Sequence, residues 1–124
     1  MSRSSAKRNP VREARIHDEI LVDAYGPDEH VMGWYYYLEE SLTFPFAARC
    51  IAQRATSPLK KGEDVTVLAM APDEECQHEM FVRVRWQGRR VAVPLAQLAG
   101  RHVDAPTRQA IEDWHYWRAQ GYEF

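Results

Sequence analysis

A chain of 124 residues is long enough to bury one hydrophobic core and too short for more than one ordinary domain. With 45% hydrophobic and 27% charged residues it has a globular composition, and a net charge of −2 leaves no basic surplus to hold a nucleic-acid backbone. No run approaches the roughly 18 apolar residues that span a bilayer, Cys50 and Cys76 form no CxxC pair, and a secretory leader is not expected because no apolar h-region stands near residue 1. The expectation is a cytoplasmic monomer with reduced thiols and neither a membrane nor a nucleic-acid partner.

Residues 1–10 are polar and basic, with Arg3, Lys7 and Arg8, and are expected to form a flexible tail; a single domain is expected over 11–124. In the helical part, 11–43, Ala14, Ile16, Ile20, Leu21 and Ala24 approximate one helical stripe, and Gly26-Pro27 ends that helix. A second helix is predicted from Asp28, as N-cap, to about Ser41, with Val31, Trp34, Tyr35, Leu38 and Leu42 at three- and four-residue steps. Gly33 in its interior is costly and implies that another element approaches closely there.

Residues 44–99 carry strand patterns. Phe46 to Gln53 alternates, and Asp64 to Ala71 alternates as far as Val67 before becoming an apolar run. Met80, Val82, Val84 and Trp86 share one face, with Phe81, Arg83 and Arg85 on the other. Gln87-Gly88 is a hairpin turn signal. Arg90 to Leu95 returns as a strand that ends, or lies at a sheet edge, because of Pro94. Gly100 to Pro106 has loop character, and a last helix over 106–120 buries Ile111, Trp114 and Trp117. The fold class is therefore α+β: a small SH3-like β-barrel preceded by two helices and closed by a C-terminal helix.

The chemistry is concentrated in carboxylates. Asp73, Glu74 and Glu75 follow Pro72 in a loop between two strands, and Glu79 returns at its far side. Hard cations such as calcium take six to eight oxygens, whereas a charge run also suits a solvated turn, and both readings stand. Asp23 at the end of the first helix and Glu39 and Glu40 at the end of the second add acids; the latter two oppose the helix dipole. Asp28, Gly33 and Glu39 fit three positions of an EF-hand loop, but His30 and Met32 occupy ligand positions and the stretch is helical, so an EF-hand is rejected. Cys76 and His78 alone fall short of a four-ligand zinc site, and no nucleophile stands in a recognisable catalytic setting.

Several segments together resemble one family. They are Val22-Asp23-Ala24-Tyr25-Gly26, Gly33-Trp34-Tyr35-Tyr36-Tyr37-Leu38-Glu39, Phe44-Pro45-Phe46 and Ser57-Pro58-Leu59, followed by Met70-Ala71-Pro72-Asp73-Glu74-Glu75-Cys76, Val93-Pro94-Leu95 and Asp113-Trp114-His115-Tyr116-Trp117. This set, spread from about Ile16 to Phe124, resembles the small calcium-binding proteins of the cyanobacterial CcbP type. The resemblance implies calcium binding in the cytoplasm without EF-hands, as a buffer or sensor rather than an enzyme. The ligands expected from the acidic clustering are Asp73, Glu74, Glu75, Asp23, Glu39 and Glu40. An SH3-like protein-interaction module without metal, gripping its target through exposed tyrosines, is the alternative.

Overall fold

A computed structural model describes residues 7–122. The expected tail lies outside the described residues over 1–6, and from Pro10 the chain is already helical. Helix α1 (Pro10–Arg15) is capped by Asn9, whose side chain accepts from the Arg12 N–H at 3.0 Å, with proline in the first turn. It runs into a single π-helical stretch, Ile16–Ile20, which ends before Asp23, a residue at φ 60. Asp23 therefore belongs to the turn after the helix and not to its last residues.

Helix α2 (Pro27–Ser41) starts one residue earlier than its pattern suggests, and its N-cap is Gly26. Asp28 does not cap it; Glu29 does the work, its Oε1 accepting from the backbone N–H of Tyr25 at 2.9 Å and of Gly26 at 3.0 Å. Val31, Trp34 and Leu38 are buried. At Gly33, a Cβ would lie 2.6 Å from the carbonyl oxygen of Ile20, so the π-helical stretch is the element that approaches.

Five strands follow: β1 (Phe46–Cys50), β2 (Asp64–Met70), β3 (Phe81–Trp86), β4 (Arg89–Pro94) and β5 (Leu98–Arg101). They form one antiparallel sheet in the order β4-β3-β2-β1-β5. β4 and β5 are its edges and do not pair, so the sheet is open and the closed SH3-like barrel expected from the sequence is not formed. The β2 register slips between Val67 and Ala69, a bulge that accounts for the apolar run after Val67. Gln87 and Gly88 have φ 50 and 74, the two positive values a tight hairpin requires. β5 takes the first two residues of the expected loop, Gly100 and Arg101, leaving 102–104 irregular before the last helix; at Gly100 a Cβ would meet Val103 Cγ2 at 2.9 Å and Ile111 Cδ1 at 3.2 Å. Strand β1 ends at Cys50, short of Gln53.

Helix α3 (Ala105–Ala119), capped by Asp104, lies against α2, with the ring of Trp34 edge-on to Trp114 at 5.1 Å and tilted on Trp117 at 5.6 Å. Ala48, Val65, Val67, Val82, Val84 and Val93 bury the sheet's inner face in the same core as these rings. Asp113, wholly buried on α3, gathers charge from the other helices. Its Oδ1 receives Arg15 at 2.6 Å and Arg12 at 3.3 Å, and its Oδ2 accepts the Tyr37 hydroxyl at 2.6 Å. A buried carboxylate requires such partners.

Two outcomes follow from this packing. In Gly33→Ala the helix-propensity gain of about 1 kcal/mol is outweighed by overpacking against Ile20, which costs about 1–3 kcal/mol. The urea midpoint should fall with an unchanged m-value, and a rise would show that the contact yields. Burial, then Asp113, pushes the Tyr37 phenol up from 10.0 to about 12. Its protonated form thus supports the fold fully below pH 10.0 and loses that contribution as the pH climbs to about 12. Thermal melts of Tyr37→Phe across that range should decline less steeply than those of the parent; equal slopes would remove Tyr37 from the alkaline transition.

Candidate metal centre

The acidic loop is held at both ends before its side chains reach solvent. Asp73–Glu75 form one 3-10 turn, closed by the Glu75 N–H on the Pro72 carbonyl and the Cys76 N–H on the Asp73 carbonyl, both at 2.9 Å. Gln77 Nε2 also donates to the Asp73 carbonyl, at 2.8 Å. Cys76 is fully buried, and its sulfur accepts the Phe81 N–H at 3.4 Å while its S–H faces the Phe81 carbonyl at 3.6 Å. Burial pushes this thiol up to about 11, so it stays protonated and inward. Asp73, Glu74 and Glu75 are all exposed.

Tyr35 joins this turn to α2. Its hydroxyl donates to the Ala71 carbonyl at 2.7 Å, two residues before Asp73. Burial pushes the phenol up to about 12, with further contributions from Glu39, Cys76, Asp73 and Glu74 in that order. The negative charges of Glu39, Asp73 and Glu74 thus act together on one oxygen, although they come from segments more than thirty residues apart in sequence. Glu39 stands one helical turn beyond Tyr35, on the same face of α2.

The other expected ligands are placed differently. Glu75 lies 3.7 Å from Arg83 on the outer face of β3. Glu40 is exposed beside the Tyr36 side of α2, the side turned to solvent. Asp23 sits near the first turn of α2, where the carbonyl of Ala24 meets His30 Nε2 at 3.1 Å. From His30 to Glu39 is roughly 14 Å along the helix axis, so Asp23 and Glu39 stand at opposite ends of α2. Glu79 is buried and neutralised by Arg54, with Arg118 at 3.9 Å, and does not line the acidic surface.

Among the described residues no three His, Cys, Asp or Glu side chains are close enough to form a closed metal cage. What is present is an open surface of carboxylates over a fixed backbone turn. That donor set suits a hard cation with irregular, partly hydrated coordination, and not a transition metal, since the adjacent sulfur is sequestered. A cleft of about 520 Å³ lies elsewhere, between α3 and β5, and none of the six expected acids lines it. The sequence reading missed the Tyr35–Ala71 hydrogen bond and the Arg83–Glu75 contact. Only the outward alternation of Arg83 on its strand hinted at the second.

The same architecture occurs in proteins of known structure. The crystal structure of Anabaena CcbP superimposes with a TM-score of 0.87 at 41% identity, covering 98% of this chain and 100% of that one. A calcium binding protein in the calcium-binding form superimposes with a TM-score of 0.85 at 40% identity, over the same shares of both chains. No curated protein matches the chain. A family model for CcbP-type calcium binding matches residues 14–118, all but the two ends of the sequence. On that match and those identities, the chain belongs to the CcbP family of calcium-binding proteins.

Proposed function

We propose that this protein binds calcium on the open acidic surface between the C-terminal half of α2 and the 3-10 turn, and that it acts in the cytoplasm as a monomeric buffer or sensor. Glu39, Asp73 and Glu74 are the principal donors. The observation that carries this is the Tyr35 hydroxyl's hydrogen bond to the Ala71 carbonyl, which ties the face of α2 that bears Glu39 to the strand end two residues before Asp73; the upward push on that phenol from Glu39, Asp73 and Glu74, after burial, agrees with it. Carboxylates on facing segments repel, and a divalent ion that draws them in relieves that repulsion while backbone carbonyls and water complete its shell. Glu75 joins when it leaves Arg83, and Glu40 adds charge from the adjacent position on α2. Asp23, at the far end of α2, serves at most a separate, weaker ion.

The reading is of a binding protein and not an enzyme: the thiol nearest the acids is buried and protonated, which is the opposite of an activated nucleophile. The interaction-module reading has less support. Of the three adjacent tyrosines, Tyr35 and Tyr37 are committed to hydrogen bonds, and only Tyr36 is exposed.

Calorimetric titration should show calcium binding in the parent and a loss of about tenfold or more in affinity in Glu39→Gln/Glu74→Gln, the order expected when two charged ligands of a hard cation are neutralised. Unchanged affinity would remove the site. Asp23→Asn should leave the main isotherm intact, and an equal loss there would relocate the ion to the other end of α2. Because the ion binds the folded chain, saturating calcium should raise the melting temperature of the parent and raise that of the double variant less.

A further inference from the structure

The solvent-facing side of the sheet carries an unassigned charged surface at the end away from the acidic turn. Strand register aligns Arg90, Arg85, Thr66, Ala47 and Arg101 in one row across all five strands, roughly 19 Å at the usual strand spacing. Arg101 and the neighbouring Arg49 are engaged by Asp64, at 2.9 Å each. Arg85 and Arg90 are exposed, directly opposite one another, and have no hydrogen bond or ion pair among the described residues. Arg89 follows the same turn and is exposed as well. Like charges facing each other across a strand pair are destabilising, and here no carboxylate of the described chain relieves them.

We propose that this face is a docking surface for an acidic protein segment, an extended stretch rich in Asp and Glu that crosses β4 and β3 and lies over Thr66 and Ala47. Guanidinium groups bind carboxylates in a planar, two-pronged geometry, and a pair of them side by side matches carboxylates on a short acidic stretch. Thr66 and Ala47 are small and exposed, so a main chain can lie close to the sheet between the charged ends. A single-stranded nucleic acid is disfavoured because no aromatic side chain stands in the row to stack a base. A lipid surface is disfavoured because the exposed large apolar residues, Val11, Val22, Tyr25, Tyr36 and Ile51, all lie off strands β2 to β4. The surface is separate from the proposed calcium site, since the row crosses β2 at Thr66 and the acidic turn follows the far end of that strand, roughly 13 Å further along it at Met70.

The test is fluorescence anisotropy of the full chain with a labelled peptide of alternating Asp and Glu, beside an oligothymidylate of equal charge and phosphatidylserine vesicles. The peptide should bind at low salt, and Arg85→Glu/Arg90→Glu should weaken it about tenfold or more, as expected when two attractive contacts become repulsive. Arg85→Gln/Arg90→Gln, which keeps side-chain bulk, should show an intermediate loss, and melting curves confirm that each variant is folded. Arg108→Glu on α3, set beside Arg85→Glu alone, makes the same change in net charge and should weaken binding less than Arg85→Glu does. Equal losses in those two single variants, or no peptide binding, would overturn the proposal. So would oligothymidylate or vesicle binding that is tighter than peptide binding and is abolished by Arg85→Glu/Arg90→Glu.

Discussion

The orientation of α2 decides where the acidic surface forms, and two tyrosine hydroxyls fix that orientation. Successive residues on a helix are about 100° apart, so Trp34, at the centre of the buried face, is flanked by Tyr37 on one side and Tyr35 on the other. Tyr37 reaches the buried Asp113 of α3, and Tyr35 reaches the Ala71 carbonyl at the end of β2. Tyr36, turned away from Trp34, faces solvent. With both flanks tied, α2 has little freedom to roll, and the face that bears Glu39, one turn beyond Tyr35, is held toward the end of β2. The Asp113 carboxylate is the more demanding of the two anchors, because a charge with no exposure must keep Arg15, Arg12 and Tyr37 around it.

Much of this fold is legible in the sequence. The helical stripe of Val31, Trp34 and Leu38, the Gln87-Gly88 hairpin and the Trp114–Trp117 core face are local patterns, and each follows from the spacing of side chains along one element. Closure of the sheet is not local: it depends on whether β4 and β5 meet, and no periodicity in either strand encodes that. β5 itself escaped notice because Gly100, required by the approach of Val103 and Ile111, interrupts a four-residue strand and imitates a loop. The capping of α2 shows a subtler limit. Asp28 and Glu29 are adjacent acids, and only the backbone path through Gly26 reveals that the second one reaches back.

The acidic residues show the same division. That Asp73, Glu74 and Glu75 share a loop is written in the sequence, as is the acidic end of α2. How the two groups stand relative to each other is set by the Tyr35 contact and by the roll of α2, and both are tertiary. Arg83, an outward strand residue, takes up Glu75, while Glu79 turns inward to Arg54 and Arg118. Charge is consequently uneven along the sheet, with carboxylates beyond one end of β2 and, near the other, guanidinium groups without a partner among the described residues. A net charge of −2 conceals this polarity entirely.

The sulfur of Cys76 grips the backbone of Phe81 and leaves the stretch between them as a short closed span. The turn bearing Asp73 and Glu74 is thereby prefolded, tethered to β2 on one side and β3 on the other. An ion arriving at the proposed site would have only side chains to immobilise and no polypeptide to wrap, which favours quick capture and release with the scaffold nearly undisturbed. Under the proposed function, such a surface would load and unload promptly as the cation concentration rises and falls, much as a shallow reservoir levels a stream.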